Sequence, residues 1–389
     1  MAPSISGLKP ALYALVALGT FSTWGRTVLD GSLAHLLTAM HGSKPYLLPG
    51  TEAPLRTRII GIYWPVDYLL DILIVFFWEA VDGSHPGTSA IGIYFLAQYF
   101  SVLTGFYIDG LRQGQSAKIT SFRVMLWVLL FQLTAIASTG PFWALWYLAS
   151  SPLVTDGLSL NELRNKSHAP AGHILLVLPG LLLGYVVPAV AMTLPSPDLV
   201  SNNFQQLALV AWNIFPVFVY LVMQALHMVL PQIEPCSPKT RNRTAIRIVH
   251  GTSLILSFAF HAGIVTLSLT TLLFPNLWRG ETISQFHPAS LFVPPVAVTA
   301  ARTVGDGVRS FFLWDQVFGY TIGILVAWLQ LRAVLVARKM DGDWAWPKVL
   351  LGIVAGAVVA GPGSVCGGIN WIRDELLMET EGSGKSVKD

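Results

Sequence analysis

Between Trp64 and Asp82 the chain reads WPVDYLLDILIVFFWEAVD, greasy enough to cross a bilayer yet carrying Asp67, Asp71, Glu79 and Asp82. At 100° per residue, Trp64, Asp67, Asp71, Trp78 and Asp82 fall within about 60° of one another on a helix, with Glu79 on the flank. The opposite face is Leu, Ile, Val and Phe. A carboxylate at bilayer depth costs about 3 kcal/mol even on insertion scales, so such residues face a bundle interior and are functional-site candidates by default. Trp64 and Trp78 add aromatic walls to the acidic face.

The whole chain is built in the same way. Of its 389 residues, 53% are hydrophobic and 12% charged, where soluble domains run near about 25% charged. A multi-pass integral membrane protein is expected, with the endoplasmic reticulum as its membrane. The net charge of +3 is small and dispersed, which leaves no nucleic-acid footprint. Cys236 and Cys366 stand far apart, in neither a metal-ligand spacing nor a disulfide framework. Apolar runs of spanning length lie near 8–25, 59–80, 88–109, 123–150, 172–194, 204–230, 246–274, 309–335 and 346–371. They predict an all-α fold, a polytopic transmembrane bundle of about eight to nine helices. The bundle is expected to form one domain over residues 1–375, followed by a polar, disordered tail over 376–389. The 123–150 run is expected to tilt or kink at Thr139-Gly140-Pro141, and the glycine-rich GPGSVCGG (361–368) to bend or re-enter. The segments 26–56, 151–170 and 276–308 read as loops. Lysines and arginines divide almost evenly between the two sides, so they set no strong orientation; the basic run Lys239–Arg247 favours a cytoplasmic 231–245 loop.

Asp67 and Asp71 stand four residues apart, one turn from each other. Two close carboxyls in a low dielectric do not both ionise cheaply, so one keeps its proton and has it to give. The plain alternative, pairing with basic residues, is weakened because few bases lie at that depth. Asp82, beside Gly83, reads equally well as an interfacial residue. Asp109 closes the third run in FYIDGLRQG, where Arg112 offers it an ordinary ion pair. Asp315 lies about two turns, roughly 9 Å, into a crossing that starts at Arg309, with Trp314 beside it. His261, inside LILSFAFHAGIVTLSL, reads by default as a hydrogen-bonded core residue. The mid-depth aromatics Trp127, Phe131, Trp143 and Trp212 either pack or line a cavity that stabilises cations. The candidate catalytic residues are therefore Asp67, Asp71, Glu79, Asp82, Asp109 and Asp315. The candidate substrate contacts are Trp64, Trp78, Arg112, Trp143, Trp314 and His261. No Asp-rich diphosphate motif, P-loop, H-E-x-x-H or G-x-S-x-G occurs. This points away from diphosphate ionisation and toward proton-initiated chemistry, with neither metal nor cofactor expected.

At WPVDYLLDILIVFFWEAVDGSHPGTSAI (64–91) the chain resembles the fungal integral-membrane terpene cyclases of meroterpenoid pathways, of the ascofuranone and macrophorin type. The matching features are Asp67, Phe76-Phe77-Trp78, Asp82-Gly83 and Pro86, then Asp109, Arg112 and Gly114. PFWALWY (141–147), GYVVPAVAM (184–192) and Trp314-Asp315 follow, so the resemblance covers about 60 to 335. The chain departs from the pattern at Glu79, where Pro is expected, and at Asp109, where Glu is expected. The resemblance implies a metal-independent cyclase acting on a lipophilic prenylated substrate, a farnesyl chain on an aromatic or cyclohexenone head. A carboxylic acid would protonate a terminal olefin or epoxide, and rings would close through tertiary cations. Membrane lipid and other enzymes of the same biosynthetic pathway are the expected partners.

Two other readings compete. Buried intramembrane acids also mark proton relays, as in a proton-coupled transporter of a small lipophilic metabolite. That reading calls for inverted repeats, and the sequence has no convincing internal symmetry. A seven-helix receptor or scaffold fits poorly with the number of apolar runs and the acid-rich second run.

Overall fold

The computed structural model describes residues 5–42, 46–114, 119–154, 157–230 and 238–379. Among these residues the fold is all-α, a helical bundle without strands. The hub is the long helix Val304–Ala337, which packs against Trp64–Val81, Pro86–Gly110, Ile136–Ser150 and Pro362–Met378. Pro86–Gly110 is the second central element, and the outer helix Pro238–Leu273 packs along it.

Pro86–Gly110, Ala171–Met192, Asn242–Leu273 and Val304–Ala337 are long and apolar enough to cross a membrane. Asn202–Asn213 and Phe215–Val229 meet at a 71° bend and would make a fifth span if counted together. The acid-bearing helix Trp64–Val81 has the length of a span, but Asp67, Asp71 and Glu79 interrupt its apolar character. The outer helices carry outward-facing aliphatics, among them Ile255 at 70% exposure and Val358 at 71%. An apolar belt of that kind is what a lipid-contacting surface requires.

One expected break is displaced and the other falls where the sequence placed it, within 361–368. The 123–150 run does not kink at Thr139-Gly140-Pro141. It splits into Ser121–Thr134 and Ile136–Ser150 at Ala135, whose φ is +74°. Pro141 sits inside the second helix and cannot donate to the carbonyl of Ala137 one turn back. The glycine-rich final run breaks at Gly361, φ +89°, between Trp346–Ala360 and Pro362–Met378. Gln98 holds this break in place by accepting the backbone N–H groups of Gly363 (3.0 Å) and Ser364 (3.2 Å).

All three expected loops contain helix, with Thr282–Phe286, Pro288–Phe292 and the first turn of Val304–Ala337 falling in 276–308. Ser32–His41 forms a helix in the 26–56 segment, and Leu160–Ser167 forms one in 151–170. The second begins with a capping box in which Ser159 and Glu162 satisfy each other's orphan groups. The hydrogen bonds from Ser159 hold the Glu162 carboxyl below its usual range. The expected tail lies, from residue 380 onward, outside the described residues.

Candidate active site

A cavity of about 310 Å³ opens between Trp64–Val81, Pro86–Gly110 and Val304–Ala337. Its polar rim is formed by Gly83, Ser89 and Thr193, and its deep end by Tyr99, Phe131 and Asp315. Ser89 and Tyr99 stand ten residues apart on one helix, so the cavity runs about 15 Å at 1.5 Å per residue. Among the described residues, Asp315 is the one carboxyl group in its lining.

The walls are aromatic because seven elements turn rings toward one space. Phe76 and Phe311 meet edge to face with centroids 5.0 Å apart. Phe77 contacts Trp212 at 5.0 Å and stacks on Phe312 at 5.9 Å. Trp24 and Tyr185 each sit in a wide π turn, Phe21–Gly25 and Leu182–Val186. Such turns are frequent where a helix must aim a side chain at a functional site. The Trp24 indole N–H donates to the Thr134 carbonyl at 2.8 Å, and its ring packs on Phe311 at 5.0 Å.

Asp315 is held by the helix break. Its Oδ1 accepts the backbone N–H of Ala137 at 2.7 Å. Ala135, in its positive-φ turn, exposes the first amides of Ile136–Ser150, which have no partner within their own helix. The carboxyl of Asp315 thus lies against the start of Ile136–Ser150, with Oδ1 engaged as an acceptor. The side chain is 6% exposed.

The other sequence-derived candidates have different surroundings. Asp67 accepts backbone N–H groups from Ile60 (2.6 Å) and Gly61 (3.0 Å), closing the chain that leads into its helix. Asp71 is buried, and its Oδ1 has no hydrogen-bond partner among the described residues. Its neighbours Ile72 and Leu73 line the cavity. Glu79 Oε2 accepts the N–H of Gly305 at 2.5 Å, at the start of the helix that carries Asp315. Asp82 sits beside the rim and accepts from the N–H (2.9 Å) and hydroxyl (2.6 Å) of Ser84.

Asp109 and Arg112 belong to a separate, buried ionic cluster. Asp109 meets Arg112 (2.8 Å), Arg373 (3.2 Å), Tyr147 (2.7 Å) and Gln330 (2.9 Å). Asp374 joins through Arg112 (2.7 Å), Arg373 (2.9 Å) and His250 (3.2 Å). Trp143 packs nearby on Phe106 at 4.5 Å. Trp78 is fully buried away from the cavity and donates to the Pro49 carbonyl at 3.2 Å. Trp64, at 75% exposure, stands outside the acidic face's burial although helical geometry aligns it there, because it is the helix's first residue. Trp314 donates to the Pro295 carbonyl at 3.2 Å and lies 5.8 Å from the Arg26 guanidinium. His261 bridges Tyr94 (3.0 Å) and the Val358 carbonyl (3.1 Å), the core role expected of it by default.

Of the aromatics singled out in the sequence, Phe131 and Trp212 line the cavity. The sequence reading passed over Phe311 and Phe312. Their signal was available: they precede Asp315 by four and three residues, so all three share one helical face.

An apolar cavity with aromatic walls and one buried carboxyl has the equipment to protonate a hydrocarbon and shelter a cation. The CtvD domain family matches residues 8–378, almost the whole described bundle.

The chain belongs to the CtvD family.

Its relatives in this family are fungal enzymes. The terpene cyclase ctvD of Aspergillus terreus is 25% identical over 373 residues, covering 93% of this chain and 96% of its own length. The terpene cyclase ascI of Acremonium egyptiacum is 24% identical over 327 residues, with 83% and 82% covered. The terpene cyclase penA of Penicillium crustosum is 24% identical, with 96% and 98% covered. This CtvD-family chain is an enzyme of the terpene-cyclase class. No solved structure matches it.

Proposed function

We propose that the chain is a multi-pass membrane cyclase that protonates the terminal epoxide or olefin of a farnesyl-type meroterpenoid precursor, without a metal. The observation that carries the proposal is the position of Asp315, a single carboxyl at the deep end of an aromatic cavity. The polar head of the substrate would rest at the rim by Gly83, Ser89 and Thr193. The prenyl chain would run inward over about 15 Å, bringing its terminal unit to Asp315.

The chemistry then follows from the walls. The Asp315 carboxyl gives its proton to the epoxide oxygen or the terminal alkene carbon. The C–O bond opens or the π bond becomes a cation, and the next double bond attacks to close a ring. Ring faces such as those of Phe76, Phe77, Phe311 and Phe312 stabilise the travelling positive charge, by about 2 kcal/mol or more per favourable contact when water is excluded. The sequence ends when a neighbouring C–H, or the substrate hydroxyl whose oxygen captures the cation, gives up a proton that returns to the Asp315 carboxylate and restores the acid. Product and substrate are isomers. An apolar belt on the outer helices gives a lipid-borne substrate direct access.

Co-expression with an epoxidised and with an unoxidised farnesylated phenolic precursor tests this reading. A cyclised product of unchanged mass is expected from one of them, and its formation is expected to persist in EDTA-treated membranes. Loss on chelation with recovery on adding Mg²⁺, or no isomer from either precursor, would overturn the proposal.

A further inference from the structure

Among the residues at the deep end of the cavity, Phe131 is the one with a second cluster of rings behind it. It is 4% exposed and belongs to the short helix Ser121–Thr134 rather than to the central elements. The other side of that ring faces further aromatics. Phe131 lies 6.3 Å from Phe106, 6.2 Å from Trp127 and 6.2 Å from Trp143, measured between centroids. These three residues line a second, nearly filled space of about 10 Å³ that ends at Asp109.

The two spaces lie along one path. Phe106 follows Tyr99 by seven residues on the same helix, about 10 Å deeper at 1.5 Å per residue. Phe131 therefore stands as a partition between the open cavity and an aromatic annex in line with it. Asp109, at the far end, is not a second free acid. Both of its oxygens are engaged by Arg112, Arg373, Tyr147 and Gln330. The annex beyond the partition thus offers mainly apolar and aromatic surface, its one carboxylate being already paired.

We propose that Phe131 sets the length of prenyl chain the enzyme accepts, its ring acting as the stop behind the terminal unit beside Asp315. The inference rests on the cyclase reading above. Shortening Phe131 merges the annex with the cavity, and a chain one isoprene unit longer gains room to curl its end back to Asp315. Enlarging Phe131 fills the deep end and excludes the farnesyl terminus while a geranyl chain still fits.

The test uses full-length protein in microsomes, supplied with geranyl, farnesyl and geranylgeranyl versions of one phenolic precursor in the form that the wild type cyclises. Phe131→Ala is expected to raise kcat/KM for geranylgeranyl relative to farnesyl on the order of tenfold, the scale on which apolar pockets discriminate chain length. Phe131→Trp is expected to raise geranyl relative to farnesyl by a similar factor. Phe131→Leu replaces the Ala variant if that protein does not accumulate in membranes. Movement of either ratio by fivefold or more in the stated direction supports the inference. Smaller changes in both, with wild-type farnesyl cyclisation intact, overturn it and leave the cyclase reading standing. A wild type that cyclises none of the three overturns both.

Discussion

Asp315 Oδ1 and the backbone N–H of Ala137 are 2.7 Å apart across 178 residues of sequence. The bond exists because Ala135 ends one helix and frees the amides of the next. Asp315→Asn keeps the size and the acceptor for Ala137 but has no carboxylic proton to transfer. Cyclisation is expected to fall by about 10²- to 10⁴-fold, the range of general acid catalysis. Asp71→Asn, away from the cavity lining, is expected to keep its rate within about tenfold. Both are measured as isomer formation per unit of membrane protein. A fully active Asp315→Asn enzyme would remove the carboxyl from the mechanism.

The same helix start is positioned from its other side by Gly19. A Cβ added there would lie 2.1 Å from the carbonyl oxygen of Ala137. That oxygen is backbone and has little freedom to yield, so Gly19→Ala displaces the segment that orients Asp315. A misplacement of about 1 Å in a catalytic arrangement costs on the order of 10²-fold. Turnover by Gly19→Ala is expected to drop by 10- to 100-fold on that scale, with the protein still in the membrane. Gly172→Ala, where a Cβ meets nothing within 4 Å, is the control and is expected to behave as wild type. Equal activities in the two variants would show that the Ala137 segment absorbs the shift.

Glu79 binds the N–H of Gly305, in the first turn of the helix that carries Asp315. A carboxylate there satisfies an orphan amide and complements the helix dipole. Glu79→Ala is expected to cost about 1–2 kcal/mol, as lost helix caps do, and Glu79→Gln less because it retains an acceptor. The measurement is the temperature at which detergent-solubilised protein loses half its monodisperse peak. KM should be unchanged. An unaltered midpoint with abolished turnover would move Glu79 from architecture to chemistry.

Much of this arrangement was legible in the sequence, and the unread part has a physical pattern. Periodicity correctly buried Asp67, Asp71 and Trp78, because a helix repeats its faces whatever surrounds it. Asp315 was legible as a deep acid for the same reason. The partners were not legible. The bond from Ala137 to Asp315 and that from Gly305 to Glu79 join residues far apart in sequence, and one chain carries no record of such pairings. The break at Ala135 was also hidden, since alanine is the strongest helix former and gives no stop signal; the more conspicuous Gly140-Pro141 is accommodated inside a helix. The helix Leu160–Ser167 was a different kind of miss. Its Ser159-x-x-Glu162 box was written in the sequence, inside a segment read as a loop from its composition.

The ionic cluster around Arg373 yields the last prediction. Arg373 is 0% exposed and lies between Asp109 (3.2 Å) and Asp374 (2.9 Å), with Arg112 as the second cation. Two carboxylates and two guanidiniums balance at that depth. Removing one partner of a buried pair leaves an uncompensated charge and costs about 3–5 kcal/mol, whereas removing a matched pair can be nearly neutral. Arg373→Met is therefore expected to abolish accumulation of monodisperse protein. Adding Asp109→Asn to it restores the charge balance and is expected to recover a substantial part of the yield. Fluorescence-detected size exclusion of tagged protein reads both variants. If the single variant accumulates like wild type, or the double variant is no better than the single, charge balance is not what holds Pro362–Met378 against the central helices.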